Sequence, residues 1–202
     1  MTRAARDART LRIIAGTWRG RRFRFPDIAD IRPTPNRVRE TLFNWLQRDI
    51  PGAVCLDLFA GSGALGLEAL SRGAKWVTFV DRDARVTAHL QHQLNELKVD
   101  NAAVIHSTAH DFLRQPGHRF DVVFLDPPFQ GNDLQTTIEI LADPRAKCAM
   151  TEHGWVHLEL PVHTPLPTIP DQWRLHRDSR AGQVRSVLLA TTPPKPEVEH
   201  TQ

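Results

Sequence analysis

The chain has 202 residues, 41% of them hydrophobic, and a formal net charge of +3. This length predicts one main domain with a core of ordinary size. No apolar run reaches the roughly 20 residues that a membrane helix needs, and the N-terminus lacks the apolar stretch of a signal peptide, so we expect a cytoplasmic protein without membrane contact. Two cysteines are too few for a disulfide framework.

Positive charge is concentrated near the N-terminus. Residues 1–39 contain eleven arginines, no lysine and three acidic residues, a local charge of +8 that leaves −5 for the rest of the chain. A basic segment on an acidic body predicts an arm that binds phosphates. A solvated or disordered tail is the alternative for residues 1–10, whereas residues 19–39 alternate arginines with aromatic side chains, which favours nucleic-acid contact.

The first fifty residues predict a β-hairpin followed by a helix. Two β-type runs within residues 11–25 flank a turn that contains glycines. Thr34 and Pro35 are typical of a helix start, as N-cap and first helical residue, and this helix should end near Arg48. We assign residues 1–50 to an N-terminal extension that contacts nucleic acid.

From residue 53 onward, β-type and helical patterns alternate. Such alternation predicts a parallel sheet with helices on both faces. Three more β-type runs follow, and the turn-like residues 178–183 should join the last two as an antiparallel hairpin at one edge. We place the catalytic domain at residues 51–192 and expect the polar, proline-rich residues 193–202 to be disordered. The expected strands are 53–58, 76–80, 102–107, 120–125, 154–160, 172–177 and 184–190, and the expected helices are 64–72, 83–97, 108–115 and 132–142.

A glycine-rich turn follows the first of these strands, in Val54-Cys-Leu-Asp-Leu-Phe-Ala-Gly-Ser-Gly-Ala-Leu-Gly66. Gly61 and Gly63 allow the backbone to approach a ligand closely. Asp81 ends the next strand, where a carboxylate can accept hydrogen bonds from the two hydroxyls of a ribose.

Three ligand classes compete for this turn. The glycines match the dinucleotide pattern G-x-G-x-x-G, but Asp57 would repel a pyrophosphate and suits a cationic group better. A P-loop is excluded because no Gly-Lys-Ser/Thr follows. S-adenosylmethionine remains, since it has a ribose, an adenine, no phosphate, and a positively charged amino group and sulfonium.

The tetrapeptide Asp126-Pro127-Pro128-Phe129 follows an apolar strand. Two prolines cannot continue a strand ladder, so the chain should leave the sheet as a stiff, extended loop. A carboxylate, an unpaired carbonyl and an aromatic ring then lie at the carboxyl end of a strand, where ligands bind in open α/β sheets. This set suits a planar molecule with an NH2 group, such as a nucleobase. Glu159, near the end of a later strand, is either a polar residue at the rim of this site or a residue at the edge of the core.

Together these motifs resemble a known family. Asp57-x-Phe59-x-Gly61-x-Gly63, Asp81 and Asp126-Pro-Pro-Phe129 look like the motifs of class I S-adenosylmethionine-dependent methyltransferases. Arg32-Pro-Thr-x-x-Arg37-Val-Arg39-Glu-Thr-Leu-Phe-Asn-Trp-Leu46, with Ile14-Ala-Gly-x-x-Arg-Gly20 upstream, resembles more specifically the bacterial 16S rRNA guanine-N2 methyltransferases of the RsmD type. The resemblance covers residues 11–190. It implies an α/β, Rossmann-like sheet of seven mostly parallel strands in the order 3-2-1-4-5-7-6, with strand 7 antiparallel.

The resemblance also implies the cofactor site. Asp57 would lie near the methionine end of S-adenosylmethionine, and Asp81 would hold the ribose. The segment after the third strand would meet the adenine, with the backbone N–H of Ala109 as first candidate, while Asp111 is alternatively a first-turn acid of a helix. The implied cofactor-binding residues are Asp57, Phe59, Gly61, Gly63, Asp81, Arg82, Ala109 and Asp126.

The chemistry at Asp126 follows from the weak nucleophilicity of an exocyclic amine, whose lone pair is delocalised into the ring. Asp126 and the carbonyl of Pro127 would accept its two N–H hydrogens, and Phe129 would stack on the base. Guanine presents N1–H beside its N2 amine, which suits an acceptor-only carboxylate. The expected products are an N2-methylated guanine and S-adenosylhomocysteine. Methylation of adenine N6, a non-catalytic RNA-binding protein and an NAD dehydrogenase are the alternatives.

The basic extension would bring the RNA. Its target base must be unstacked to reach the site, and the family resemblance implies 16S rRNA of an assembling small ribosomal subunit. We expect a monomer without a metal, since the ten histidines do not complete a tetrahedral ligand set. Arg32, Arg37 and Arg39 would face phosphates or hold the loop near the cofactor. The expected RNA-binding residues are Arg19, Arg21, Arg22, Arg32, Thr34, Arg37 and Arg39.

Overall fold

The computed structural model describes residues 10–25, 34–115, 117–127, 133–143, 145 and 148–191. Helices and strands alternate through most of this part of the chain, as the sequence predicts. Within it, no helix is long and apolar enough to cross a membrane. The strands are β1 (Thr10–Arg12), β2 (Arg22–Arg24), β3 (Val54–Asp57), β4 (Trp76–Asp81), β5 (Ala102–His106), β6 (His118–Leu125), β7 (Cys148–Pro161), β8 (Arg174–Ala181) and β9 (Val184–Ala190). The helices are α1 (Asn36–Trp45), α2 (Ala64–Ser71), α3 (Ala84–Glu96), α4 (Ala109–Leu113) and α5 (Asp133–Ala142).

Seven strands form one sheet in the order β5-β4-β3-β6-β7-β9-β8. The pairs among β3, β4, β5, β6 and β7 are parallel, whereas β9 runs antiparallel to both β7 and β8. Numbered within the sheet, this is the order 3-2-1-4-5-7-6 with strand 7 antiparallel, so the predicted fold class is confirmed. The strand order reverses between β3 and β6, where open α/β sheets bind ligands.

Strand β6 shows why the sheet is covered on both faces. Its residues 122–125 are all fully buried, and they alternate between two hydrophobic clusters. Val122 and Phe124 lie in the cluster that contains residues of α1, α2 and α3, while Val123 and Leu125 lie in the cluster that contains residues of α4 and α5. A run of consecutive apolar residues is therefore a central strand buried on both sides.

The N-terminal hairpin packs into the first of these clusters. Leu11 and Phe23 are paired across β1 and β2, and both side chains are buried. The loop between the strands lies on the end of α2, where the backbone N–H of Thr17 donates to the carbonyl of Ser71 at 2.7 Å. Gly16 makes this approach possible, because a Cβ at that position would lie 1.8 Å from the same carbonyl oxygen. The hairpin and the sheet thus share one core.

Two local predictions were wrong. Thr34 does not cap α1, because Pro35 occupies the N-cap position without a side-chain cap bond and the Thr34 side chain is instead hydrogen-bonded to Glu159. The link at residues 178–183 is mostly strand, since β8 continues to Ala181 and its partner begins at Val184. The proposed tail, residues 193–202, lies outside the described residues.

Candidate active site

Three aspartates meet at the carboxyl ends of neighbouring strands. Asp57 ends β3 and is paired with Phe79 of β4 and Phe124 of β6. Asp81 and Asp126 each lie two positions farther along those neighbouring strands. Because these strands are parallel, the three carboxyl groups lie at the same edge of the sheet, as the sequence predicts.

Asp57 is almost completely buried, with 3% of its surface exposed. Its Oδ2 accepts a hydrogen bond of 2.9 Å from the backbone N–H of Gly66, in the first turn of α2. Burial raises the pKa of Asp57 to about 7; the bond from Gly66 opposes the rise and the charge of Asp81 adds to it. A cation near this carboxylate would stabilise its charged form.

The glycine turn is shaped by steric limits and by Asp81. Gly61 and Gly63 have φ values of +50° and +74°, which are unfavourable for other residues. A Cβ at Gly63 would lie 2.5 Å from Cδ2 of Leu90, so the helix start also requires the missing side chain. At Gly61, an added Cβ would have no heavy atom nearer than the Phe59 carbonyl oxygen at 3.8 Å, so this side of the turn is open.

Asp81 holds two backbone segments. Its Oδ2 accepts from the N–H of Gly61 at 2.9 Å, and its Oδ1 accepts from the N–H of Asp83 at 2.8 Å. A carboxylate has about four acceptor sites, so each oxygen can also receive a ligand hydroxyl. Arg82, the next residue, has an exposed side chain, and Phe59 is half-buried.

The segment after β5 forms the start of α4. Thr108 is the N-cap, and its Oγ1 accepts from the backbone N–H of Asp111 at 3.1 Å. Asp111 lies in the first turn and its Oδ2 is 2.7 Å from the Thr108 hydroxyl, so its interpretation as a first-turn acid is confirmed. Ala109 occupies the first helical position and packs against the second cluster.

Asp126 and Pro127 follow β6 directly. Asp126 is half-buried and Pro127 is buried. Desolvation raises the pKa of Asp126 well above its ordinary range, and the charges of Glu159 and Asp57 raise it further. Phe129, predicted to stack on the base, lies outside the described residues.

Glu159 lies beside Asp126, although the sequence left it open between the rim of the site and the edge of the core. Leu125 of β6 is paired with Leu158 of β7, so Asp126 and Glu159 are the next residues on adjacent parallel strands. Burial raises the pKa of Glu159 to about 7, while the hydrogen bond with Thr34 and the charge of Arg39 oppose the rise. Its signal in the sequence is a single acid inside the otherwise apolar run of β7, because acidic residues are rarely buried without a partner or a function.

The predicted RNA-binding residues fall into two groups. Arg32 lies outside the described residues, and the exposed members are Arg19, Arg21, Arg22 and Arg37. Arg39 and Thr34 are buried, with 0% and 4% of their surfaces exposed, so their assignment to RNA contact is wrong for this conformation. The alternative interpretation, that Arg39 holds the adjoining loop, agrees with its contacts.

Arg39 joins three segments inside the protein. Its Nη1 lies 3.2 Å from Oε2 of Glu68, and its Nη2 donates to the carbonyl of Arg12 at 2.8 Å. Its Nε donates to the carbonyl of Thr34 at 3.3 Å. Glu68 in turn accepts from the backbone N–H groups of Ile14 and Ala15 at 2.9 and 3.0 Å. These bonds fix the hairpin and α1 to α2, the helix that begins at the glycine turn.

Metal coordination has no candidate in the described part of the chain. No three His, Cys, Asp or Glu side chains there lie close enough together to hold a metal ion. The carboxyl groups at the sheet edge are therefore arranged as hydrogen-bond acceptors and as partners for positive charge.

Comparison with known proteins adds independent findings. The model of the family described as Conserved hypothetical protein 95 matches residues 11–190. Ribosomal RNA small subunit methyltransferase D of Escherichia coli strain K12 is 48% identical over 174 residues, which cover 86% of this chain and 86% of that protein. The solved structure of Escherichia coli yhhF, described as a methyltransferase, has a TM-score of 0.83 and 44% identity, and the match covers 92% of this chain and 99% of that one.

A more distant solved structure shares the fold. The T. thermophilus 16S rRNA N2 G1207 methyltransferase in complex with AdoMet and guanosine has a TM-score of 0.66 and 21% identity, and the match covers 90% of this chain and 49% of that one. At this identity the likeness concerns the fold alone. It places the sheet described above among the Rossmann-like methyltransferase folds.

Proposed function

We propose that this protein methylates ribosomal RNA, on the premise that the chain belongs to the family of ribosomal RNA small subunit methyltransferase D. More finely, we propose that S-adenosylmethionine donates the methyl group and that the N2 amine of a guanine in 16S rRNA accepts it. The observation that carries the proposal is the position of Asp126 and Pro127 at the end of β6, next to Asp57 at the end of β3.

The residues at the sheet edge fit S-adenosylmethionine. Three aspartates on neighbouring strands repel phosphate groups but attract an amino group and a sulfonium, and they accept hydrogen bonds from hydroxyls. The open side of Gly61 leaves room for a ligand against the backbone. Asp57 would lie at the methionine end and Asp81 at the ribose. The remaining residues proposed to hold the cofactor are Phe59, Gly61, Gly63, Arg82 and Ala109.

Asp126 and Pro127 would prepare the amine. When bound, S-adenosylmethionine supplies a methyl group on positively charged sulfur, which is an electrophile. The Asp126 carboxylate and the Pro127 carbonyl accept the two N–H hydrogens of the amine and so favour a localised lone pair on nitrogen. The ring of Pro127 fixes its own backbone φ angle, which keeps the two acceptors in place before the base arrives. The proton that the methylated amine releases passes to Asp126 or to water.

The choice of guanine rests on hydrogen-bond polarity. A carboxylate only accepts, and the guanine edge offers N1–H beside the N2 amine. Adenine places an acceptor beside its N6 amine, which would face the carboxylate unfavourably. Adenine-N6 methylation is therefore the second candidate.

The arginine side chains of the hairpin support an RNA substrate. Arg19, Arg21 and Arg22 are exposed on the hairpin, and Arg37 is exposed on α1. The buried bonds of Arg39 and Glu68 connect that surface to α2. A phosphate backbone held on this surface would have a defined position relative to the carboxyl ends of β3 and β6.

Transfer of a labelled methyl group tests the proposal. Small-subunit particles from a strain that lacks the family enzyme would be incubated with the protein and S-adenosylmethionine tritiated in its methyl group, and the rRNA nucleosides would then be separated. We expect label in N2-methylguanosine with the wild type and none with Asp126→Ala. Label in N6-methyladenosine would instead favour the second candidate, and the absence of label would contradict both.

A further inference from the structure

Glu159 is held against Asp126 by the strand register. Leu125 and Leu158 are paired in the parallel β6–β7 ladder, and Asp126 and Glu159 follow them. On its other side Glu159 is paired with Ser186 of β9, so it lies in the interior of the sheet rather than at an edge strand. Only 5% of its surface is exposed.

The contacts of Glu159 leave its charge poorly compensated. Its carboxyl group is hydrogen-bonded with the Thr34 side chain, but its Oε2 is buried and has no hydrogen-bond partner among the described residues. The nearest positive charge is Arg39, which is already paired with Glu68. A buried carboxylate without a dedicated cation is unfavourable, and a neutral carboxyl group avoids this cost.

The other groups that face Glu159 also disfavour its ionisation. Asp126 approaches from β6 as a second acid, and Asp57 from β3 acts on Asp126. His157 lies two positions earlier on β7, is fully buried and bonds through Nε2 to Ser186 Oγ at 2.9 Å. Burial lowers the pKa of His157 to about 3, so this ring is neutral at physiological pH and supplies no positive charge.

We propose that Glu159 is a positioning residue that carries one proton beside Asp126 and thereby leaves Asp126 as the carboxylate that accepts hydrogens from the target amine. Two adjacent carboxyl groups in one buried site do not both ionise easily, so they share a single proton near neutral pH. Asp126 is the more exposed of the two and would face the N–H donors of the base, whereas Glu159 is enclosed. The proton therefore belongs on Glu159 when the amine is bound.

This arrangement also connects the acid pair to the N-terminal segment. Thr34 precedes α1, and its side chain bonds to Glu159 while its carbonyl accepts from Arg39. Glu159 thus lies between Asp126 and the segment that leads to the exposed Arg37. The inference rests on the proposed function, because it gives Asp126 the role of amine acceptor.

Infrared spectroscopy of the free, full-length protein tests where the proton lies. Protein with ¹³C-labelled glutamate carboxyl groups would be titrated, and the shifted carbonyl band of a protonated glutamic acid would be followed. We expect such a band to persist to about pH 7, to disappear in Glu159→Gln, and to titrate at lower pH in Asp126→Asn because a neighbouring negative charge is removed. Glu139→Gln, a substitution on the exposed side of α5, is the matched control and should leave the band unchanged.

Two results would overturn the proposal. One is the absence of a protonated glutamic acid near neutral pH; the other is a band that Asp126→Asn does not move. If circular dichroism showed that Glu159→Gln does not fold, Asp126→Asn would still give the second readout. The titration needs neither RNA nor methyl donor, so it can succeed even if the wild type transfers no label and the proposed function fails.

Turnover provides the kinetic readout. Glutamine cannot ionise but can still accept the hydrogen bond from Thr34, so it imitates the protonated form. We expect Glu159→Gln to retain kcat within about threefold of the wild type at neutral pH, and to lack any change of rate linked to the upper ionisation of the pair. A complete loss of turnover in a folded Glu159→Gln variant would show that the ionised form is required, contrary to the proposal.

Discussion

Arg39 and Glu68 form an ion pair of 3.2 Å in which neither side chain has any solvent exposure. Arg39 belongs to α1 and Glu68 to α2, so the pair joins the N-terminal segment to the helix that follows the glycine turn. Desolvation lowers the pKa of Arg39 and the charge of Glu68 opposes this effect, as expected for a buried arginine that depends on its partner. The arginine-rich extension therefore contains at least one structural arginine.

Replacement of Arg39 should destabilise the protein. Arg39→Ala leaves Glu68 buried without one of its cations and leaves the carbonyl of Arg12 without its donor, and breaking such a buried pair costs about 3–5 kcal/mol. The matched control is Arg37→Ala, two positions away on the exposed side of α1, which should change the free energy of unfolding by less than about 0.5 kcal/mol. Urea denaturation measures both, and equal stability of the two variants would contradict the role of the pair.

These residues illustrate which features could be predicted from sequence. The strands β3 and β6 are short apolar runs bounded by turn residues, so local pattern alone predicts them. Arg39 precedes the buried Leu42 and Phe43 by three and four positions, which places it on the apolar side of the helix. Its partner Glu68 is 29 positions away in the sequence, and no local pattern predicts which distant acid will meet a buried arginine.

The pairing of Glu159 with Asp126 could not be predicted, for a related reason. Their proximity depends on the parallel register of β6 and β7, and register across a crossover is set by the packing of the whole sheet. Asp57, Asp81 and Asp126 could be predicted because each ends its own strand, and the ends of parallel strands meet at one edge. A residue at a strand end is thus easier to assign to a site than a residue whose partner lies across a strand pair.

Separate roles are expected for Asp126 and Asp81. Asp126→Ala removes the proposed amine acceptor, so methyl transfer should fall below detection while the affinity for S-adenosylmethionine changes by less than about tenfold, or 1.4 kcal/mol. Asp81→Ala removes the proposed ribose acceptor and also the bonds from Gly61 and Asp83, so its affinity should fall further. Calorimetric titration with S-adenosylmethionine measures both. An equal loss of affinity in the two variants would contradict this division of roles.

The exposed arginines should determine how RNA binding depends on salt. Reversing the charge at Arg21 and Arg37 should weaken binding and reduce the slope of log affinity against log salt by about one for each phosphate that is no longer neutralised. Arg145→Glu is the control, because Arg145 is 89% exposed and lies between α5 and β7, at the opposite ends of the strands. Filter binding of a 16S rRNA fragment at several salt concentrations gives the slopes. An unchanged slope in the double variant would remove these two arginines from the RNA surface.

Gly16 and Gly20 offer a matched test of how the hairpin is attached. Both have a φ of +81°, so alanine at either position adds a similar backbone strain of about 1–2 kcal/mol. At Gly20 an added Cβ has no heavy atom within 4.0 Å except a guanidinium nitrogen of Arg12 at that distance, whereas at Gly16 it would lie 1.8 Å from the backbone oxygen of Ser71. Gly16→Ala should therefore lower the thermal midpoint well below that of Gly20→Ala. Similar midpoints would mean that the contact between hairpin and α2 adds little stability.

The buried carboxyl group of Asp57 should make stability depend on pH. Its pKa is about 7 in the folded protein because of burial, against about 4 in an unfolded chain. Between these values the folded state holds a proton that the unfolded state has released, so stability due to this group is fully present below pH 4 and is lost as pH rises through 7. Asp57→Asn keeps an oxygen for the Gly66 N–H but cannot ionise. Denaturation of both proteins from pH 4 to 8 should therefore show the wild type losing stability relative to the variant by up to about 1.4 kcal/mol per pH unit. A difference that stays constant, or that rises with pH, would show that Asp57 is ionised in the folded protein.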